Sequence, residues 1–158
     1  MYTAAILTIS DRCSRGERED ESGKVIQKLI QNLPLELVKY EIVPDEPEMI
    51  KAKLIEYADS LNVDLVLTDG GTGFGPRDVT PEATKAVLDK EIPGIPEVMR
   101  IECLKFSRRA MLSRAVAGIR GKTLIVNLPG SSKAVRESLE TVLDTFVHAL
   151  DMIAGKDH

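Results

Sequence analysis

Gly70-Gly71-Thr72-Gly73-Phe74-Gly75-Pro76-Arg77-Asp78-Val79-Thr80-Pro81-Glu82 carries four glycines in its first six residues, then an arginine, an aspartate and a helix start. The apolar run Leu65-Val66-Leu67 feeds it, and Thr80-Pro81 predicts a helix with Thr80 as cap and Pro81 in its first turn. A strand, a glycine-rich loop and a helix in succession is how α/β proteins hold phosphates. Glycines let backbone N–H groups approach the oxyanion, and the helix N-terminus adds partial positive charge. Asp78 needs a different reason, because a carboxylate repels a phosphate unless a cation lies between them. The stretch therefore predicts a phosphate site with a metal-holding carboxylate.

Outward from it, Thr3 to Ile9 is apolar throughout and predicts a buried strand running into Ser10-Asp11. Residues 10–23 are polar and charged. They read either as a solvated, mobile loop or, in their first residues, as one wall of a ligand site at a strand's carboxyl end. Val25, Ile26, Leu29, Ile30 and Leu33 share a helix face that Pro34 ends. Residues 35–43 alternate partially, as an edge strand does. Pro44-Asp45-Glu46-Pro47 is a rigid turn that puts Pro47 at a helix start and leaves Asp45 as a helix-capping acid or a site residue. A second amphipathic helix follows on Ile50, Leu54, Tyr57, Ala58 and Leu61, then a central strand over 63–68. Beyond the loop, helices are expected after Thr80 and from about Glu97 to Lys105. Val116 to Arg120 and Thr123 to Leu128 predict strands paired through Gly121-Lys122. One long helix is expected from Val135 to Ile153. Alternating strands and helices imply an α/β fold of three layers, a mostly parallel sheet with helices on both faces, in a single domain over 1–158.

The chain is 43% hydrophobic and 29% charged, an ordinary globular balance. A net charge of -4 argues against a dedicated nucleic-acid binder, and no Trp with only three Tyr and three Phe leaves little for base stacking. No apolar stretch is long enough to span a membrane and the first residues lack a basic signal-like region, so a soluble cytoplasmic protein is expected. Cys13 and Cys103 fit no metal spacing and are expected as free thiols. His148 sits within a helix pattern and His158 ends the chain, so no histidine metal site or triad is expected.

The loops after Ile9, Thr68 and Leu128 should open on one edge of a parallel sheet, joined by Asp45 if the strand before it is parallel as well. Known phosphate signatures fit badly. Gly70-x4-Gly75 is followed by Pro76 rather than lysine, and no G-x-G-x-x-G stands in the first strand-to-helix turn. Gly130-Ser131-Ser132-Lys133 lacks an upstream glycine and reads by itself as a helix start. General rules thus reach a nucleotide or phosphate binder and leave the metal open.

The residues resemble a known family more closely. Thr68-x-Gly70-Gly71-Thr72-Gly73, then Arg77-Asp78-Val79-Thr80-Pro81-Glu82-Ala83, with Leu128-Pro129-Gly130 downstream, is similar to the molybdenum cofactor biosynthesis proteins. Ile9-Ser10-Asp11-Arg12, Val43-Pro44-Asp45-Glu46, Met111-Leu112-Ser113-Arg114 and Asn127-Leu128-Pro129-Gly130 extend the likeness over nearly the whole chain. The resemblance implies transfer of AMP from ATP to molybdopterin with release of pyrophosphate, Mg²⁺ as cofactor, a homotrimer, and contact with other enzymes of cofactor biosynthesis. It makes Asp45 and Asp78 the essential acidic, metal-holding pair and places Ser113 at an active-site serine. It also assigns Gly70, Gly71, Thr72 and Gly73 to the phosphate side, and Asn127, Pro129, Gly130 and Ser131 to the nucleotide side. Ser10, Asp11 and Thr80 complete the expected binding residues.

This sequence departs from the family pattern at Asp69, where relatives often carry a neutral residue, at Ser131-Ser132, and at Cys103, where some carry serine. Two other functions fit the same framework: a non-catalytic pterin or nucleotide-binding module, and a metal-dependent nucleotide pyrophosphatase. The intact acidic pair argues against the first, and Met111-Leu112-Ser113-Arg114 with the short chain against the second.

Overall fold

Alternation with period two divides β1 (Tyr2–Ile9) between two cores, Ala4 and Ile6 facing one and Ala5, Leu7 and Ile9 the other. β3 (Leu65–Asp69) and β6 (Thr123–Leu128) divide likewise. Leu65, Leu67, Leu124, Val126 and Leu128 oppose Val66 and Ile125. Strands apolar on both faces must be covered on both, which is why helices flank the sheet on each side. The computed structural model describes residues 1–156, and His158 lies outside the described residues.

With β2 (Leu35–Val43), β4 (Lys90–Glu91) and β5 (Ala117–Arg120), the strands run in the order β2-β1-β3-β6-β5-β4. The first four are parallel; β5 pairs antiparallel with β6, and β4 antiparallel with β5. The β5–β6 hairpin turns through Gly121-Lys122 as expected, with Gly121 at φ +58°. β2 is the expected edge strand.

One core is closed by α2 (Glu21–Ile30), α5 (Gly94–Cys103), α6 (Ser132–Val142) and α7 (Phe146–Ile153), through Ile26, Met99, Val135, Leu139, Phe146 and Leu150. The other lies under α3 (Pro47–Ile55) and α4 (Thr80–Val87), with Ile50, Leu54, Ala83 and Val87. Tyr57, in the π-helical turn that extends α3, is buried there. Its hydroxyl donates to Glu41 Oε1 at 2.7 Å, so its one polar atom stays paired.

Topology locates the ligand crevice. From β1 the chain crosses through α2 to β2 on one side, then through α3 to β3 on the other. The crossovers part between β1 and β3, and a cleft opens at the carboxyl ends of those two strands.

Four expectations change in detail. The charged segment 10–23 is only partly a loop: α1 (Asp11–Ser14) forms one helical turn and α2 begins at Glu21. α5 starts at Gly94, inside the Pro-Gly-Ile-Pro stretch, rather than near Glu97. The long final helix is two helices separated by a 3-10 turn over Leu143–Thr145. Thr141 and Thr145 donate their hydroxyls to the Ser138 and Val142 carbonyls at 2.7 Å, which loosens the backbone ladder there. The apolar period survives the break, so the sequence pattern did not reveal it. Finally, Val79 and not Thr80 occupies the cap of α4.

Candidate active site

The carboxyl ends of β1, β2, β3 and β6 deliver Ser10-Asp11, Asp45, the glycine loop and Pro129-Gly130 to the same edge of the sheet. Because β2 is parallel, Asp45 joins them. Its side chain does not cap α3, whose cap position is Glu46. Instead Asp45 Oδ2 accepts the Asp11 N–H at 2.9 Å while the Asp45 N–H donates to Asp11 Oδ1 at 3.0 Å. Arg77 comes down from the glycine loop onto this pair. Its Nε and Nη2 grip the two Asp11 oxygens at 3.0 Å each, and Nη2 also reaches Glu46 Oε1 at 2.9 Å. Arg77 holds the Asp11 carboxyl below the usual aspartate range. Asp45 is shifted the other way: burial pushes its carboxyl up, and the charges of Asp11 and Asp78 add to that. An acid raised by burial and two like charges gains from a bound cation.

The glycines are required by what lies against them. Gly70 has φ +96°, and a Cβ there would sit 2.2 Å from the Ile9 carbonyl oxygen. Gly71 has φ +70°, and its Cβ would sit 2.3 Å from Thr80 Oγ1 and 3.2 Å from Asp45 Oδ1. At Gly73 and Gly75 a Cβ would meet Asp78 Oδ2 at 2.9 Å. Asp78 folds back over the loop, with Oδ2 accepting the Gly75 N–H at 2.8 Å. Arg114 fastens the loop from outside: it donates from Nε to Gly73 O and from Nη2 to Asp78 O at 2.8 Å, and its backbone N–H donates to Thr72 O at 3.0 Å. Arg77 and Arg114 are thus engaged in holding protein groups in place.

Thr80, displaced from its expected capping role, is fully buried and its hydroxyl has no hydrogen-bond partner among the described residues. An orphaned buried hydroxyl costs about 1–3 kcal/mol unless something pairs with it. It faces the spot beside Gly71 where Asp45 Oδ1 also points. Among the described residues no group of three or more His, Cys, Asp or Glu side chains is placed to hold a metal. The donors present are hard oxygens, Asp45 and Asp78, and they suit a cation of the magnesium kind that takes one or two protein carboxylates and fills its shell from phosphates and water.

Beside the loop lies a cavity of about 240 Å³, lined by Thr72, Gly73, Cys103, Arg109, Ser113 and Pro129 among others. Ser113 reaches it from the end of the 3-10 turn Arg108–Leu112, and its Oγ also accepts the Ala115 N–H at 3.3 Å. Ser10 and Ser131 cap α1 and α6 through Cys13 N–H and Ala134 N–H. Gly130 packs against Gly70, where its Cβ would lie 3.5 Å from the Gly70 Cα.

Asn127 is placed differently from expectation. It is fully buried, donates from Nδ2 to Thr68 and Thr84 at 2.9 and 3.0 Å, and accepts the Val116 N–H on Oδ1 at 3.2 Å. Its side chain ties β3, β6 and α4 together behind the site. Sequence reasoning missed Arg114 as a brace, along with the buried Thr8 and Asp20 and the half-buried Tyr40 that meet beside Asp69. Asp20 could have been found from Asp20-Glu21-Ser22-Gly23, an acid at a helix start with glycine three positions on.

A family of proteins described as the probable molybdopterin binding domain matches residues 5–149. The molybdopterin adenylyltransferase of Helicobacter pylori strain J99 is 49% identical over 153 residues, covering 95% of this chain and 86% of its own. The Escherichia coli K12 protein of the same name is 44% identical over 142 residues, covering 88% of this chain and 72% of its own. The crystal structure of the molybdopterin biosynthesis enzyme MoaB from Thermus thermophilus superposes with a TM-score of 0.94 at 52% identity, over 99% of this chain and 98% of that one.

Proposed function

The chain belongs to the molybdopterin-binding family of molybdenum cofactor biosynthesis, and we propose that it is a molybdopterin adenylyltransferase, moving AMP from ATP to molybdopterin and releasing pyrophosphate. The observation that carries the site assignment is the convergence at Gly71. There the raised Asp45 carboxyl and the orphaned Thr80 hydroxyl meet across a space that no Cβ can enter.

In this reaction an oxygen of the terminal phosphate of molybdopterin bonds to the α-phosphorus of ATP as the bond to the bridging oxygen breaks and pyrophosphate leaves. Two anions must meet, so catalysis rests on neutralising charge and on in-line positioning. The attacking phosphate is already largely ionised near neutral pH, so the chain need not supply a strong base. Its residues bind and orient. The N-terminus of α4 and the amides of Gly71, Thr72 and Gly73 present positive potential to the triphosphate, and the Thr80 hydroxyl gains a phosphate oxygen as partner. Asp45 and Asp78 would hold Mg²⁺, which when bound supplies the charge neutralisation between the phosphates. The cavity lined by Thr72, Ser113 and Pro129 takes the organic part of a substrate.

The whole chain acts as one domain, since both cores share one sheet. It works in the cytoplasm; no helix among the described residues is long and apolar enough to cross a membrane. The homotrimer is supported by apolar side chains exposed on and after α5. Purified protein mixed with molybdopterin, ATP and Mg²⁺ should yield adenylylated pterin and pyrophosphate in equal amounts. Nucleotide cleavage that needs no pterin would point to a pyrophosphatase, and pterin binding without turnover to a binding module. Either outcome defeats the transferase assignment.

A further inference from the structure

Behind the glycine loop is a small, buried acidic cluster that the transfer chemistry does not use. The Thr8 hydroxyl lies 2.7 Å from Oδ2 of Asp20 and 2.7 Å from Oδ2 of Asp69. All three residues are buried. A hydroxyl has one proton and can donate to only one of the two acids, so the other contact is a hydrogen bond only if its acid is protonated. Asp20 has other donors: the Gly23 N–H reaches Oδ1 at 2.9 Å, and the Tyr40 hydroxyl reaches Oδ2. For Asp69 the side-chain partner is Thr8 alone among the described residues. The proton therefore belongs to Asp69, which donates to Thr8, while Thr8 donates to the charged Asp20. Gly23 is glycine because the cluster sits on its Cα: a Cβ would lie 2.3 Å from Asp20, 2.5 Å from Tyr40 and 2.9 Å from Thr8.

The cluster joins three parts of the fold. Asp69 immediately precedes Gly70, whose N–H donates to Leu128 O and Pro129 O at 3.2 and 3.3 Å. Asp20 caps α2. From the same turn of α2, Ser22 donates to Gly130 O at 2.7 Å. We propose that Asp69 is a positioning residue that holds the glycine loop against the start of α2 through one proton shared across Thr8, so that phosphate groups bind tightly only while that proton is in place. The proposal rests on the glycine loop being the phosphate side of the site.

Burial, with the Asp20 charge adding to it, pushes the Asp69 carboxyl up to about 8, against the lowering pull of the Thr8 hydroxyl. The other groups facing the cluster are Tyr40 from β2, Cys13 from α1, and Arg18, Glu19 and Glu21 on the rim of its small cavity. None of these is altered in Asp69→Asn, which keeps a neutral donor in the same place.

Two measurements test this without any transfer reaction. In a 13C carboxyl NMR titration of the intact protein, the Asp69 signal should stay that of a neutral acid through pH 6 and move near 8; movement in the ordinary range near 3.8 overturns the proposal. Inorganic pyrophosphate with Mg²⁺, titrated calorimetrically, should bind the wild type about tenfold more weakly at pH 9 than at pH 7, since only the protonated fraction is competent. Asp69→Asn should lose most of that pH dependence; ligand ionisation is common to both proteins and cancels. If the variant weakens as steeply as the wild type, Asp69 is not the controlling group. Should Asp69→Asn fail to fold, Thr8→Val removes the hydroxyl that links the Asp69 proton to Asp20 instead. It should bind pyrophosphate weakly already at pH 7, and wild-type-like binding in it overturns the proposal. A negative adenylyl-transfer assay alongside these results would fail the enzyme assignment alone.

Discussion

At the scale of single residues, Gly71 shows how a backbone requirement and a chemical one coincide. Its φ of +70° excludes side chains on conformational grounds, and the 2.3 Å approach to Thr80 Oγ1 excludes them on steric grounds. Replacing glycine by alanine at a compatible φ stabilises by about 0.4–1 kcal/mol, but Gly71→Ala should instead destabilise by more than that, measured by urea unfolding, and should abolish adenylyl transfer. Asp45→Asn and Asp78→Asn should each fold normally and lose about 100-fold or more in kcat, as removal of a charge stabiliser does; full turnover in both variants removes the metal-carboxylate assignment. Asp45 also sets a pH dependence. Its raised carboxyl protonates on acidification above the ordinary aspartate value of 3.8, so the acid limb of kcat/KM, which reports the free protein, should lie above that value. The sign for stability is opposite: a group raised on folding contributes most at low pH, and the contribution is lost as pH rises through the raised value. Asp45 was legible only conditionally, because its meaning depended on β2 being parallel. Thr80 was legible as a binding residue but not as one that leaves the cap of α4 to Val79, and Asn127 was legible as important without its place behind the site. Capping and ligand contact depend on whether a hydroxyl or amide turns outward, and neighbours decide that.

Among elements, the loop between β3 and α4 is held by Arg114, which arrives from a segment with no periodicity of its own. Its guanidinium takes two loop carbonyls and Glu82 Oε2 at once, and its own N–H takes a third carbonyl. Arg114→Ala should leave those carbonyls to solvent and free the loop, so amide exchange over 72–78 should accelerate. KM for ATP should rise more than kcat falls. Lysine at this position should not rescue, because a single ammonium cannot reproduce the planar fork. Unchanged exchange in the loop would show that the glycines hold their own shape. The longer strands and α2, α3 and α4 were legible because their apolar periods survive tertiary packing; α1, one turn without buried residues, was not. β4 was not, being two exposed residues held only by pairing with β5. The division between α6 and α7 was hidden for the reason given by Thr141 and Thr145: local hydroxyl bonds alter the backbone without altering the apolar stripe.

For the whole molecule, the sheet accounts for the buried residues on both faces and leaves a different apolar population outside. Val98 and Ile101 on α5, Leu104 and Phe106 after it, and Met111 and Leu112 in the 3-10 turn are all exposed, Ile101 at 65%. Single exposed apolar residues need no explanation, but six within one segment are the kind of surface that a partner covers. The segment also reaches the candidate site, since Leu112 lines the same cavity as Ser113. If it is the trimer contact, assembly and catalysis share residues. Sedimentation should give three times the chain mass of 17.4 kDa. Ile101→Glu decides between the alternatives. On the surface of a monomer such a substitution changes stability by no more than about 0.5 kcal/mol. In an apolar interface it buries an unpaired carboxylate, and the assembly should dissociate. Loss of the threefold mass with retained far-UV circular dichroism supports the trimer. A wild type that sediments at the single-chain mass rules it out, and the apolar segment must then answer to a different partner.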